Sequence, residues 1–230
     1  MRVEVLDHVA GSRAATGLAI VIDVFRAFSL ACYAVAGGAR VIPVAAIEEA
    51  LALRTRHPDW LLAGERHARQ LPGFDHGNSP AQIAAADLRG RTLVHTTHAG
   101  TQGLTNARRA DEVLTGSLVN AAALVRYVES RRPAVVSIVR MGHEARERCA
   151  EDDLCAELLV ARLRHRSFDV DSIPARLRTA PAAAKFFDPD ATWAPEQDFT
   201  LCTAVDRFDF VLRLDEPDAE GLRALVRLDT

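Results

Sequence analysis

A short apolar run that ends on an acid constrains the fold of this chain more than any other feature. Residues 18–22 are apolar without interruption, and Asp23 follows them directly. A run of this length without polar alternation is typical of a parallel strand that is covered on both faces. Because similar runs recur along the chain with helical patterns between them, the sequence predicts a layered α/β fold.

Strands and helices are predicted to alternate up to about residue 164. The strands are expected at residues 18–22, 40–44, 60–63, 92–96, 112–114 and 134–139, and the helices at 27–36, 47–56, 101–109, 119–130 and 152–164. This order predicts a three-layer sandwich around a mostly parallel, mixed sheet with right-handed crossovers. We expect one α/β domain over residues 1–230, with a core at about 18–160 and an irregular, Pro- and Ala-rich C-terminal extension. Residues 208–214 are predicted to form a late edge strand.

Composition narrows the class of protein. The 230 residues are 49% hydrophobic and 26% charged, as in ordinary globular proteins. The formal net charge of −3 gives no basic field for nucleic acid, and no apolar stretch is long enough to span a bilayer. The four cysteines form no Cys-x-x-Cys pair and the N-terminus lacks a signal-peptide pattern, so we expect reduced thiols and a cytoplasmic protein. Among the basic residues, Lys185 is the single lysine.

Polar residues follow the predicted strands at their carboxyl ends, where open α/β sheets bind ligands. Any surface connection is also polar, but several such loops together favour a binding site. The candidates are Asp23, Arg26, Glu65, Arg66, Thr96, Thr97, Gly100, Thr101, Asn120 and Arg140.

Asp23 is the sharpest of these candidates, because a carboxylate at the end of an apolar strand is costly unless it is solvated, paired or metal-bound. Arg26 lies within one helical turn of it, where it pairs either with Asp23 or with a substrate. Phosphatases of the haloacid dehalogenase type place a second Asp two residues after the first. Phe25 occupies that position, which argues against that superfamily.

Two further loops offer anion-binding groups. In residues 73–80, Gly-Phe-Asp-His-Gly-Asn-Ser-Pro, Asn78 or Ser79 either caps the helix that Pro80 opens or helps to bind an anion. Residues 96–101 supply three hydroxyls and several free amides without the spacing or lysine of a P-loop, which argues against an ATPase. No His-Glu-x-x-His motif supports a zinc site. The acids at 151–153 suit a helix start, although one of them could reach a metal.

Taken in order, these segments resemble the 2-phosphosulfolactate phosphatase family. The matching segments are residues 21–27, 64–66, 73–80, 96–101, 116–120 and 151–156, with a weaker match at 199–202 and 205–208. The octapeptide at 73–80 is the most specific of them. The chain departs from the family pattern at Ala68, His98, Met141 and Glu157. The first two departures lie in or beside the anion-binding loops, so they bear on the substrate more than on the fold.

The resemblance implies a Mg²⁺-dependent enzyme that converts 2-phospho-3-sulfolactate to 3-sulfolactate and phosphate. It also implies a place on the coenzyme M route of methanogens, whereas the roles of bacterial relatives are less certain. On this hypothesis Asp23, with Glu65 or Asp75, holds Mg²⁺, since Mg²⁺ needs only one or two protein carboxylates. Arg26 and Arg66 complete the catalytic set by neutralising phosphoryl charge. Substrate binding is assigned to Asn78, Ser79, Thr96, Thr97, Gly100, Thr101, Asn120 and Arg140.

Several alternatives stay open at this point. Asp23 is either a metal ligand or a nucleophile. The substrate is either phosphosulfolactate or another phosphorylated hydroxy acid, and a third alternative is a phosphoanion-binding protein without turnover. The only partner implied is a small anionic phosphoester, and the sequence leaves a homo-oligomer open.

Overall fold

The computed structural model describes residues 1–230 and contains ten strands and nine α-helices. The strands are β1 Arg2–Asp7, β2 Gly17–Ile22, β3 Arg40–Pro43, β4 Leu61–Arg66, β5 Arg69–Gln70, β6 Thr92–Thr96, β7 Ala110–Gly116, β8 Val135–Arg140, β9 Phe210–Leu214 and β10 Leu225–Asp229. The helices are α1 His8–Ala14, α2 Ala27–Ala36, α3 Ile47–Arg56, α4 Pro80–Ala85, α5 Gly100–Asn106, α6 Ala121–Arg131, α7 Ala150–Leu163, α8 Ile173–Arg178 and α9 Glu196–Cys202. Two 3₁₀ helices cover Leu118–Asn120 and Pro181–Phe186. None of the helices is both long and apolar enough to cross a membrane.

The alternating faces of β2 explain the layers. Leu18, Ile20 and Ile22 pack into one core with α6, α7, α8 and α9, whereas Ala19 and Val21 pack into another with α2 and α5. A continuous apolar run is therefore required, because helices cover both faces of the strand. A third, smaller core places α3 against the outer face of β3, β4 and β6. The prediction of an α/β fold with helices on both sides of a mixed sheet is confirmed.

The sheet consists of two parallel blocks, with strand order β1-β8-β2-β7-β9-β10-β3-β6-β4-β5. Strands β1, β8, β2 and β7 are parallel to one another, as are β3, β6 and β4. The antiparallel strands β9 and β10 join the blocks, which consequently run in opposite directions. In a flat sheet the ends of β2 and β6 would lie about 24 Å apart across the strands. Gly100, after β6, nevertheless lies against Asp23, after β2, so the carboxyl ends of the two blocks meet in space.

Three strands near the chain termini differ from the prediction: β1 and β10 were not expected, and β9 was expected at an edge of the sheet. The expected edge strand forms β9, which lies in the interior of the sheet between β7 and β10. Its residues Phe210, Val211 and Leu212 are buried, as an interior position requires. The actual edge at one side is β1, where charged residues obscure the strand pattern.

The Pro- and Ala-rich stretch is more regular than expected. It forms α8, a 3₁₀ helix and α9, which pack on the core beside β2 and α7. This packing brings Lys185 and Asp198 close to the carboxyl end of β2. The C-terminal region is therefore part of the wall around the site described next.

Candidate active site

A small cleft lies where the carboxyl ends of β2, β4 and β6 meet the start of α7. Its volume is about 70 Å³, enough for a few water-sized atoms such as the oxygens of one phosphate group. Five acids, three histidines, one arginine and one lysine line it. The lining residues are Asp23, Phe25, Arg26, Glu65, His67, Ala68, Asn78, His98, Ala99, Gly142, His143, Glu144, Cys149, Glu151, Asp152, Ala182 and Lys185.

Asp23 and Asp152 are two buried carboxylates at the bottom of this cleft. Asp23 follows β2 and accepts a hydrogen bond from the Ala27 amide at 3.2 Å. Asp152, in the first turn of α7, accepts from the amides of Val24 at 2.9 Å and Gly142 at 2.8 Å. Burial, together with the charge of Asp152, raises the pKa of Asp23 to about 7. Burial and a neighbouring glutamate likewise raise the pKa of Asp152 to about 7. Such a pair favours either a shared proton or a bound cation.

Glu151 and Lys185 extend the charged cluster. Glu151 is 4% exposed, its pKa is raised mainly by burial, and its Oε2 atom has no hydrogen-bond partner. Burial lowers the pKa of the half-buried Lys185 ammonium, with Arg26 acting in the same direction and Glu151 and Asp23 opposing it. The ammonium group of Lys185 and the Arg26 guanidinium are the lysine and arginine cations of a cleft that is otherwise rich in carboxylates. An unpartnered buried carboxylate oxygen is rare in proteins and indicates a missing ligand.

Glu65 holds two loops at the rim of the cleft. Its Oε1 accepts from the His98 amide at 2.8 Å, and its Oε2 accepts from the Ala68 amide at 2.8 Å. Ala68 has a φ of 62°, in the left-handed region that glycine adopts without steric cost. Ala68 is one of the departures from the family pattern, and a glycine would adopt this backbone conformation without strain. Both carboxylate oxygens of Glu65 thus already accept backbone hydrogen bonds.

Asn78 is the residue of the octapeptide that reaches the cleft. Its Oδ1 atom lies 3.2 Å from Nε2 of the buried His95. Burial lowers the pKa of His95 to about 4, so the ring is neutral and donates through Nε2 to the amide oxygen. This contact fixes the carboxamide and leaves its amino group as a donor for the cleft.

Arg26 and Ser79 are brought together by a residue that the sequence did not single out. Asp198 is fully buried in α9, and one of its oxygens accepts from the Arg26 guanidinium at 2.6 Å. Its other oxygen accepts from the Ser79 hydroxyl at 2.8 Å and the Ala81 amide at 2.9 Å. Ser79 also accepts from the amide of Gln82 and so caps α4. Arg26 lines the cleft, but its pairing with Asp198 gives it a structural role in the wall.

The structure does not bring Arg66, Arg140 or Asp75 to the cleft. Arg66 donates to the carbonyls of Glu65 and Ala45 and to the Thr96 hydroxyl. Arg140 binds the carboxylates of Asp7 and Asp153, each within 3.0 Å. Asp75 accepts from the Leu62 amide and pairs with Arg54. Each of the three side chains is instead held by partners outside the cleft.

The remaining candidates do not line the cleft; most of them make hydrogen bonds that hold the loops around it. Thr97 and Thr101 bond to each other, amide to hydroxyl in both directions, at 2.9 and 3.2 Å. Asn120 is buried and accepts from the Ser117 amide at 3.2 Å. The Thr96 hydroxyl donates to the Ala45 carbonyl. Gly100 is the closest of this group, since a Cβ there would lie 2.8 Å from Asp23 Oδ2.

The residues that the sequence analysis missed come from distant segments. The sequence places Glu151 and Asp152 at a helix start, where acids favour the helix dipole and where one of them could reach a metal. Lys185 stands out in the sequence only through the composition. The one feature of the sequence that distinguishes Lys185 is that it is the single lysine in a chain rich in arginine. Nothing in the local sequence places Glu144 beside the residues that follow β4 and β6.

The fold and the cleft define a class of α/β protein with a small polar cleft at the carboxyl ends of strands, where such sheets bind ligands. Sequence comparison makes this class specific, because a family model described as 2-phosphosulpholactate phosphatase matches residues 5–217. The chain therefore belongs to the 2-phosphosulfolactate phosphatase family, whose members are phosphoric monoester hydrolases.

Individual relatives agree with this assignment. A Bacillus subtilis protein named probable 2-phosphosulfolactate phosphatase is 30% identical over 211 residues, covering 89% of this chain and 90% of that protein. Proteins of the same name from Thermotoga petrophila and Caldanaerobacter subterraneus are 40% and 38% identical. Those two alignments cover 64% and 55% of this chain, and 62% and 54% of the two relatives.

Proposed function

We propose that this protein hydrolyses 2-phospho-3-sulfolactate to 3-sulfolactate and phosphate with the aid of Mg²⁺. Family membership supports the reaction class, and the names of the relatives support the substrate. The observation that carries the proposal is the cluster of buried carboxylates in the cleft. Asp23, Glu65, Glu151 and Asp152 are each at most 8% exposed.

The donor set suits a hard divalent cation. Mg²⁺ prefers carboxylate oxygens and keeps several waters, so two or three acids suffice. Asp23 and Asp152, with the unpartnered Oε2 of Glu151, are the residues that would hold it. Asp75 is left out of this set because it lies outside the cleft. Glu65, at the rim, is a further candidate, since each of its oxygens, like those of Asp152, accepts one amide and keeps a second lone pair. Bound Mg²⁺ would supply charge neutralisation for the phosphoryl oxygens.

The side chains of the cleft bind and orient the substrate. The Lys185 ammonium and the Asn78 amino group are donors for anionic oxygens, and both line the cleft. A phosphoryl group that enters next to four carboxylates needs such donors, because charge spreads over its oxygens during transfer. The single ammonium group in a small cleft sets where the phosphate lies.

The same two carboxylates change character when the cation binds. Without metal, burial and neighbouring acids raise the pKa of Asp23 and of Asp152 to about 7. A bound divalent cation would lower both pKa values, so the pair would serve as ligands. Whether Asp23 instead attacks phosphorus itself stays open. The coenzyme M route and a cytoplasmic location stay predictions.

The proposal is tested by phosphate release from 2-phosphosulfolactate by the EDTA-treated protein, with and without added Mg²⁺. We expect release only with Mg²⁺, and a much lower rate with 2-phospholactate, which lacks the sulfonate. Asp152→Asn should abolish release. The matched control is Asp153→Asn, whose carboxylate faces Arg140 and Arg148 instead of the cleft. Release that is insensitive to EDTA, or equal loss in both variants, would contradict the proposal. Faster release from 2-phospholactate would favour another phosphorylated hydroxy acid as the substrate.

A further inference from the structure

Three side chains at the mouth of the cleft have no part in the proposed hydrolysis. His67 follows β4, His98 follows β6 and Glu144 follows β8. All three line the cleft, on the side of the rim where Glu65 holds the loops. Because the three residues are far apart in the sequence, no local motif predicts that they lie together.

Their ligand atoms form a compact triangle. Nδ1 of His67 lies 2.5 Å from Oε1 of Glu144, and Nδ1 of His98 lies 4.0 Å from the same oxygen. One ligand atom from each residue lies within 4.8 Å of the other two. A tetrahedral Zn²⁺ with bonds of about 2.0–2.1 Å separates its ligands by roughly 3.3–3.5 Å. Shifts of about an ångström in each contact would therefore give that geometry.

The two histidines differ in exposure in a way that suits this adjustment. The His67 side chain is 71% exposed, so few contacts oppose a shift of its ring away from Glu144. The His98 side chain is 27% exposed, and its backbone amide donates to Glu65. The two imidazole rings pack edge to face with centroids 5.1 Å apart. A small shift of the more exposed ring would bring both rings onto one ligand.

An unpartnered atom points to a missing ligand. Nδ1 of His98 is buried and has no hydrogen-bond partner, although a buried imidazole nitrogen ordinarily has one. The same nitrogen is the one that faces Glu144. A metal ion between the three side chains would satisfy His98 and would replace the proton that His67 and Glu144 share.

We propose that His67, His98 and Glu144 form a binding site for a divalent transition metal of the Zn²⁺ type, separate from the carboxylate cluster. Two imidazoles and one carboxylate are a donor set that Zn²⁺ accepts and Mg²⁺ does not favour. Three protein ligands leave a coordination position open. Since all three residues line the cleft, that position would take a water or an anionic oxygen of a molecule in the cleft.

The test measures metal binding, so it does not depend on phosphatase activity. Protein without a histidine tag is stripped with EDTA, dialysed into excess Mg²⁺ and titrated with Zn²⁺ by calorimetry. Co²⁺ serves as a second probe because it absorbs visible light when four-coordinate. We expect one equivalent of Zn²⁺ to bind despite the Mg²⁺, and His67→Ala and His98→Ala each to weaken binding at least about tenfold.

His165→Ala is the matched control, because His165 also faces a glutamate, Glu129 at 3.9 Å, far from the cleft. It should leave Zn²⁺ binding unchanged, and circular dichroism should show that all variants are folded. The proposal is overturned if Mg²⁺ prevents Zn²⁺ binding, if no stoichiometric binding occurs, or if His67→Ala and His98→Ala bind as tightly as the control.

Discussion

Replacing Asp152 with asparagine should stabilise the metal-free protein at alkaline pH while it removes an active-site group. The Asp152 carboxyl has its pKa raised from 3.8 to about 7, so the folded protein holds a proton there that the unfolded chain releases. The unfolding free energy therefore has its highest value, as far as Asp152 is concerned, below about pH 4. It falls as the pH rises to about 7 and is constant above that. The cause is a buried negative charge beside other buried negative charges.

The size of the effect follows from the shift and from the hydrogen bonds of the side chain. About three pH units correspond to a loss of about 4 kcal/mol in the unfolding free energy at pH 8. Asp152 accepts from the amides of Val24 and Gly142, and an asparagine can accept from only one of them. The mismatch costs about 1–2 kcal/mol. The expected net gain of Asp152→Asn at pH 8 is thus about 2 kcal/mol.

Equilibrium unfolding in urea, with EDTA present, measures this difference at pH 8 and at pH 4. At pH 4 the wild-type carboxyl is protonated, so the order should reverse and the variant should be about 1 kcal/mol less stable. Saturating Mg²⁺ at pH 8 should stabilise the wild type more than the variant. A variant that is less stable than the wild type by the same amount at both pH values would contradict the explanation by a buried negative charge.

Three other changes test the walls of the cleft. Asp198→Ala should lower the unfolding free energy by about 3–5 kcal/mol in urea titrations, because it leaves the buried Arg26 guanidinium unpaired. Lys185→Met should lower kcat/KM for phosphate release about 100-fold, and Lys185→Arg should recover part of it, if the cation orients the phosphoryl group. Gly100→Ala should cost about 1–3 kcal/mol of stability and at least tenfold in kcat, since the added methyl would lie 2.8 Å from Asp23 Oδ2.

Matched surface variants separate these effects from general damage. Glu196 lies in the same helix as Asp198 but pairs with Arg178 in solvent, so Glu196→Ala should change stability by no more than about 0.5 kcal/mol. A loss in Glu196→Ala as large as in Asp198→Ala would contradict the role of the buried pair. Equal kcat/KM for the methionine and arginine variants of Lys185 would contradict the role of its charge.

The fold was predictable where the pattern is local. Helices α2 and α3 and strand β6 begin and end at the predicted residues, because their hydrophobic patterns are local. Gly37-Gly38 also mark the end of α2. The direction of the strand blocks was not predictable. The antiparallel strands β9 and β10 enter between the blocks from the end of the chain, and strand pairing of this kind leaves no local trace.

The residues of the site were likewise predictable only where their position depends on their own segment of the sequence. Asp23, Glu65 and Asn78 line the cleft because residues after strands lie at the sheet edge, which is a property of each segment alone. Whether an arginine at such an edge is free depends on its neighbours. Arg66 and Arg140 are taken up by partners that the sequence does not reveal. Asp152 and Lys185 reach the cleft only through tertiary packing.

The central claim is that the buried acids of the cleft hold a divalent cation, and the most direct test is a crystal soaked in Mn²⁺ as an anomalous substitute for Mg²⁺. We expect the strongest anomalous peak within about 2.5 Å of carboxylate oxygens of Asp23 and Asp152. A cleft without a peak at saturating Mn²⁺, or a peak that contacts neither aspartate, would contradict it.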